Sequence, residues 1–166
     1  MEKPHIWVDA DSCPSPAKNI ILKAASKNSL QVTYAANRDI PFSIQSPLFN
    51  MVICPKEEGA ADDYIVANVA PDDIVVTRDI PLAKRLVQKN IKVMNDRGTL
   101  FDEKNVEEML KQRELNMMMN AIGVHTGGRW NSYGKKETYD FAVTFDRVLQ
   151  SKMALYKAFI KAQEQQ

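Results

Sequence analysis

Asp9 and Asp11 stand two residues apart at the end of the run His5-Ile6-Trp7-Val8, and other aspartates recur at comparable places. Asp62 and Asp63 open a helical segment, Asp79 follows Ile74-Val75-Val76-Thr77-Arg78, and Asp96 follows Ile91-Lys92-Val93-Met94. Short apolar runs of this kind read as buried strands, and a polar stop marks where each leaves the core. In an open α/β sheet, ligands bind just beyond the carboxyl ends of the strands. Carboxylates gathered there repel and raise one another's pKa unless a cation neutralises them. Hard oxygen donors suit Mg²⁺ or Mn²⁺, which keep several waters and take one or two carboxylates each. One use of such a cluster is phosphodiester hydrolysis, in which one ion activates the attacking water and another stabilises the leaving oxygen. Asp9, Asp62 and Asp79 are therefore the candidate catalytic residues and metal ligands. Asp11, Asp63 and Asp96 are the candidate supporting ligands.

Plainer assignments compete. Asp62 and Asp102 read equally as helix N-caps, and so does Asp79 ahead of Ile80-Pro81. Asp96-Arg97-Gly98 also reads as a turn. What favours a site is the recurrence of aspartate at the ends of three strands. Thr77, Arg78 and Arg97, at the same edge, are candidate substrate contacts. So are His125, Arg129 and Lys135, in a glycine-rich stretch whose basic residues suit a nucleic-acid backbone. His5 reads as a strand-start residue, and Cys13 as a small buried filler with no neighbouring base to activate it.

The elements that must position these residues alternate. Ser15-Pro16 starts a helix, with Ser15 as the expected N-cap, and Gln31–Ala36 is a second strand, so the opening segment is a right-handed βαβ unit. The stretch 37–48 is irregular, Met51–Cys54 is a third strand, and a helix runs from Ala60 to about Ala70. Asp73–Thr77 and Ile91–Met94 are strands four and five, with a helix starting at Ile80-Pro81 between them. A helix capped by Asp102 runs from about Glu103 to Met119, its apolar stripe including Val106, Met109, Leu110 and Met117. The expected fold is α/β, a doubly wound, mostly parallel five-stranded sheet flanked by helices. A long amphipathic helix, about Tyr139 to Ala162, closes the chain. Its stripe of Phe141, Phe145, Val148, Leu149, Tyr156, Phe159 and Ile160 packs back on the domain or, as the lesser use, forms a homodimer contact. The expected organisation is an α/β domain over 1–122, with the glycine-rich loop and C-terminal helix of 123–166 packed on it.

Composition narrows the class. With 166 residues, 45% hydrophobic and 26% charged, the chain can bury a core without staples. A net charge of +1 gives no global basic field for duplex binding. No signal peptide or membrane-spanning run is seen, and Cys13 and Cys54 form no metal-spaced pair, so a reduced, cytoplasmic setting is expected.

Several blocks in order resemble one family: Val8-Asp9-Ala10-Asp11-Ser12-Cys13-Pro14, Ala60-Ala61-Asp62-Asp63-Tyr64-Ile65, Asp73 through Ala83, and Asp96-Arg97-Gly98 with Leu100-Phe101. They are similar to the YaiI/YqxD family of bacterial proteins, which is grouped with the PIN-like nuclease superfamily. The likeness spans about Ile6 to Leu115. Within the wider group, Asp9 matches the aspartate ending strand one, Asp62 with Ile65 matches an Asp-x-x-Ile helix start, and Thr77-Arg78-Asp79 matches the end of a later strand. The resemblance implies Mg²⁺- or Mn²⁺-dependent cleavage of RNA or single-stranded nucleic acid. One departure is plain: PIN domains add a mid-domain acid, for which this chain offers only Asp39, Glu57 and Glu58, with Asp11 or Asp63 as substitutes. Two other readings remain, a catalytically silent PIN-like binding protein and a haloacid-dehalogenase-like phosphatase with Asp9 as nucleophile.

Overall fold

The computed structural model describes residues 1–125 and 132–166. Strand β1 (Ile6–Asp9) is the centre of a five-stranded sheet in which every pairing is parallel. On one side lie β2 (Val32–Ala36) and then β3 (Phe49–Ile53), and on the other β4 (Ile74–Val76) and then β5 (Lys92–Met94). Val8 sits in register with Tyr34 of β2 and Val76 of β4. The chain therefore winds outward from β1 to β3, returns past β1, and winds outward again. The reversal falls between β1 and β4, and the crevice at their carboxyl ends is where such sheets hold ligands.

Period-two alternation divides the side chains between two cores. Ile6, Val8, Tyr34, Ile74, Val76 and Met94 pack with α1 (Ser15–Asn28) and α5 (Lys135–Glu164). Trp7, Ala35, Val75 and Val93 pack on the opposite face with α2 (Ala60–Asn68), α3 (Ile80–Gln88) and α4 (Glu103–Ala121). Asp9 and Thr77 are two residues on from Trp7 and Val75, so they emerge on the α2/α3 face. Asp96, two residues on from Met94, emerges on the α1/α5 face. At the strand ends Asp9, Thr77 and Asp96 nevertheless line one tight crevice.

The helix starts differ from expectation at two places. The N-cap of α1 is Pro14, in extended backbone, and Ser15 is already helical with no side-chain cap bond. Helix α2 begins at Ala60 as expected, but from Gly59 in a left-handed conformation (φ +78), so Asp62 lies inside its first turn rather than at the cap. Asp79 does cap α3, accepting from Leu82 N at 2.9 Å. Asp102 caps α4 in a reciprocal box with Asn105.

Along α4 only Val106 is buried, and Met117 is 62% exposed, because the helix runs on past the sheet that would have covered its stripe. On α5 the stripe is buried from Phe141 to Met153 and only partly covered at Tyr156, Phe159 and Ile160. The start of α5 also clasps the turn after β5. Thr144 Oγ1 donates to the Gly98 carbonyl and Tyr133 Oη to that of Asp96, both at 2.7 Å. Gly98 has φ +85, and a Cβ there would lie 2.4 Å from the Asp140 carbonyl oxygen. No helix of the described residues is long and apolar enough to cross a membrane.

Candidate functional site

The site is built where β1 and β4 end. Asp9 closes β1, and Thr77, buried just past β4, donates its hydroxyl to Asp9 Oδ2 at 2.9 Å. The same hydroxyl oxygen accepts the Asp79 backbone N–H at 3.0 Å, so a short relay ties the start of α3 to the end of β1. Asp62 approaches from the first turn of α2 on the same face.

Burial raises the Asp9 pKa above the usual carboxylate range; the Thr77 bond opposes this, while Asp79 and Asp11 add to it. Burial, reinforced by Asp79 and Asp9, pushes Asp62 up to about 6 against the pull of Arg85. Both thus feel the negative charge of Asp79, and Asp62 that of Asp9 as well, with partial relief from Arg78 at Asp9 and from Arg85 at Asp62.

The supporting aspartates are in a different state. Asp11 pairs with Arg38 at 2.9 Å, Asp63 with Arg85 at 2.8 Å, and Asp96 takes Arg78 on both oxygens. Asp96 is also buried, and its pair with Arg78 sits in a tight crevice that Asp9, Cys13 and Thr77 line as well. Among the described residues, no cation lies within ion-pair distance of Asp9, Asp62 or Asp79. A cleft of about 190 Å³ opens beside Asp9 and Asp62, which line it with Asp11, Lys56, Glu57 and Glu58; Asp79 does not line it. Glu57 and Glu58 are thereby placed on the same wall as the strand-end acids. Among the described residues, no three His, Cys, Asp or Glu side chains stand together as a ready-made metal ligand set.

Comparison with known proteins fixes the family. A family model described as "Uncharacterized BCR, YaiI/YqxD family" matches residues 7–151. The chain belongs to the YaiI/YqxD family. It is 43% identical over 144 residues to a UPF0178 protein of Treponema denticola, covering 87% of this chain and 90% of that one. A UPF0178 protein of Pseudoalteromonas atlantica is 39% identical over 146 residues, with 87% and 97% covered. One of Pseudomonas putida strain W619 is 37% identical over 148 residues, with 87% and 95% covered. No solved structure matches.

The YaiI/YqxD match runs from β1 into α5 and spans all six aspartates named from the sequence. Of the residues considered as substrate contacts, Thr77 turns inward onto Asp9, and Arg78 is drawn to Asp96. Arg97 lies 3.7 Å from Glu137 and against the ring of Tyr133. Lys135 opens α5 and is exposed, as is His125 beyond the end of α4. Arg129 lies outside the described residues. His5 precedes β1, stacks on Trp7 and bonds Thr33 Oγ1 at 2.7 Å. Cys13 is buried and its thiol is pushed up to about 12, chiefly by that burial, which leaves it unreactive near neutrality. The three arginine partners could not be read from local spacing, because each pair joins residues 18 to 27 apart in the chain.

Proposed function

We propose that this protein is a Mg²⁺- or Mn²⁺-dependent, PIN-like nuclease that hydrolyses phosphodiesters of RNA or single-stranded nucleic acid. The observation that carries this reading is the contrast among six aspartates. Three have arginine partners, whereas among the described residues Asp9, Asp62 and Asp79, near the carboxyl ends of β1 and β4, have no ion-pair partner. Their donor chemistry fits a hard divalent ion, and the raised pKa of Asp9 and Asp62 is the expected state of carboxylates that a cation would relieve. Such an ion supplies an activated water and neutralises the leaving oxygen. The chain's own part is to hold the donors: Thr77 fixes Asp9, the α3 N-terminus fixes Asp79, and α2 carries Asp62 to the cleft. Glu57 and Glu58 would stand in for the mid-domain acid. Two buried free thiols, Cys13 and Cys54, suit a reducing, cytoplasmic setting.

A second reading is a catalytically silent binding protein, favoured by the want of a ready ligand set among the described residues. The phosphatase reading is weakened by Asp11, which is tied to Arg38 rather than held for proton transfer.

Cleavage of end-labelled single-stranded RNA in EDTA, Mg²⁺ and Mn²⁺ tests the proposal. Metal-dependent cleavage that falls at least about 100-fold in Asp9→Asn is the expected result. Equal rates in the variant, or no cleavage with either ion, would end the nuclease reading. A melting temperature raised by Mn²⁺ without cleavage would support the silent one.

A further inference from the structure

At the amino end of β5, far along the sheet from the aspartates, a cleft of about 280 Å³ lies between that strand and the middle of α5. Three cations line it: Lys92 opening β5, and Arg147 and Lys152 on α5. Leu100, Val148 and Leu155 make its floor, and Ser151 adds a hydroxyl. The helix repeat explains the wall, since Arg147, Ser151 and Leu155 succeed one another at i, i+4 and i+8.

Among the described residues, no carboxylate lines the cleft and none lies within ion-pair distance of these three cations. Elsewhere on the surface Arg38, Arg78 and Arg85 each hold an aspartate. Lys152 is half-buried and donates to the Pro71 carbonyl at 3.3 Å. Burial lowers its pKa, Asp72 opposes this, Lys92 adds to the lowering, and Asp73 opposes it again. Asp73 already receives three hydrogen bonds, from His5 N, Trp7 Nε1 and Ala70 N. Like charge thus accumulates around one concave, partly apolar space.

We propose that this cleft binds a small organic phosphate, a phosphate monoester carrying an apolar ring or chain. The phosphate brings a charge near −2 and oxygens that a guanidinium can grip with two parallel bonds, with lysines as point charges beside it. The leucine and valine floor takes the apolar body. The volume sits at the small end of ligand pockets, which fits a single ring rather than a chain of nucleotides. This site is separate from the aspartate crevice and does not depend on what that crevice does.

Calorimetric titration with phenyl phosphate, inorganic phosphate and a 20-nucleotide single-stranded RNA tests it. Phenyl phosphate is expected to saturate one site at least about 10-fold more tightly than inorganic phosphate. Arg147→Gln and Lys92→Gln, both at exposed positions, should each weaken it about 10-fold, whereas Lys161→Gln on the outer end of α5 should not. Asp9→Asn should bind as the unaltered protein does, which keeps this result apart from that of the nuclease assay. Equal, weak binding of all three anions that Arg147→Gln leaves unchanged would mark a merely solvated basic face and overturn the proposal. Tight RNA binding lost in Arg147→Gln, with no phenyl phosphate binding, would overturn it in favour of a nucleic-acid surface.

Discussion

Asp73 and Asp9 are both largely enclosed aspartates on neighbouring strands, at opposite edges of one sheet. Asp73, just ahead of β4, receives His5 N at 3.1 Å, and Trp7 Nε1 and Ala70 N at 2.8 Å. It ties the β4 entry to the start of β1 and to the end of the α2 loop. Asp9, at the exit of β1, receives a single side-chain bond from Thr77, and burial holds its pKa up. An enclosed carboxylate with its lone pairs filled is a fastener. One left short of donors holds the chain together less, and is worth keeping only for what it can receive.

The largest expected effect separates the two by stability. Asp73→Ala strands the Trp7 indole N–H and two backbone N–H groups, and should cost about 3–5 kcal/mol in urea unfolding. Asp9→Ala should cost no more than about 1 kcal/mol, and equal costs would erase the distinction. Next, saturating Mn²⁺ should stabilise the protein by about 2 kcal/mol in a thermal scan and do nothing for Asp9→Asn. A shift that survives in the variant would place the ion elsewhere.

The third effect is in pH. Asp62 titrates near 6 when folded, above its ordinary value of 3.8, so the folded state holds the proton longer than the unfolded chain. Stability is therefore highest below about pH 4 for this group, falls as pH rises through 6, and stays lowered above it. Allowing for solvent screening, the loss should be about 1 kcal/mol, absent in Asp62→Asn and reduced by Mn²⁺. A flat profile between pH 4 and 7 relative to Asp62→Asn would contradict it. The smallest effect belongs to Arg85→Gln. It should change stability by under about 0.5 kcal/mol, yet raise the Asp62 midpoint followed by NMR, because Arg85 pulls that value down.

Much of this was legible in the chain. The runs ending at Asp9, Ala36, Val76 and Met94 are strands, and the α/β alternation implied a parallel sheet. The strand order was not, since winding outward and back past β1 depends on pairing across 68 residues, as between Val8 and Val76. Nor was the α2 cap: the start at Ala60 was legible, but Gly59 sets the backbone and relieves Asp62 of the capping role that its residue type suggested. Asp73 read only as a strand's first residue, because its donors lie up to 68 positions away. The α4 stripe shows periodicity outrunning coverage: Leu110 and Met117 keep the spacing, but no sheet lies beneath that end.

The clasp between α5 and the β5 turn bears on how the molecule opens. Thr144, Tyr133 and the Gly98 approach join backbone segments 37 to 46 residues apart. The amides around Asn95–Thr99 and those of the first turns of α5 should then exchange with solvent as one cooperative unit. Loosening the helix would unfasten the turn that carries Asp96 before it disturbed Asp9, which rests on β2, β4 and Thr77 instead.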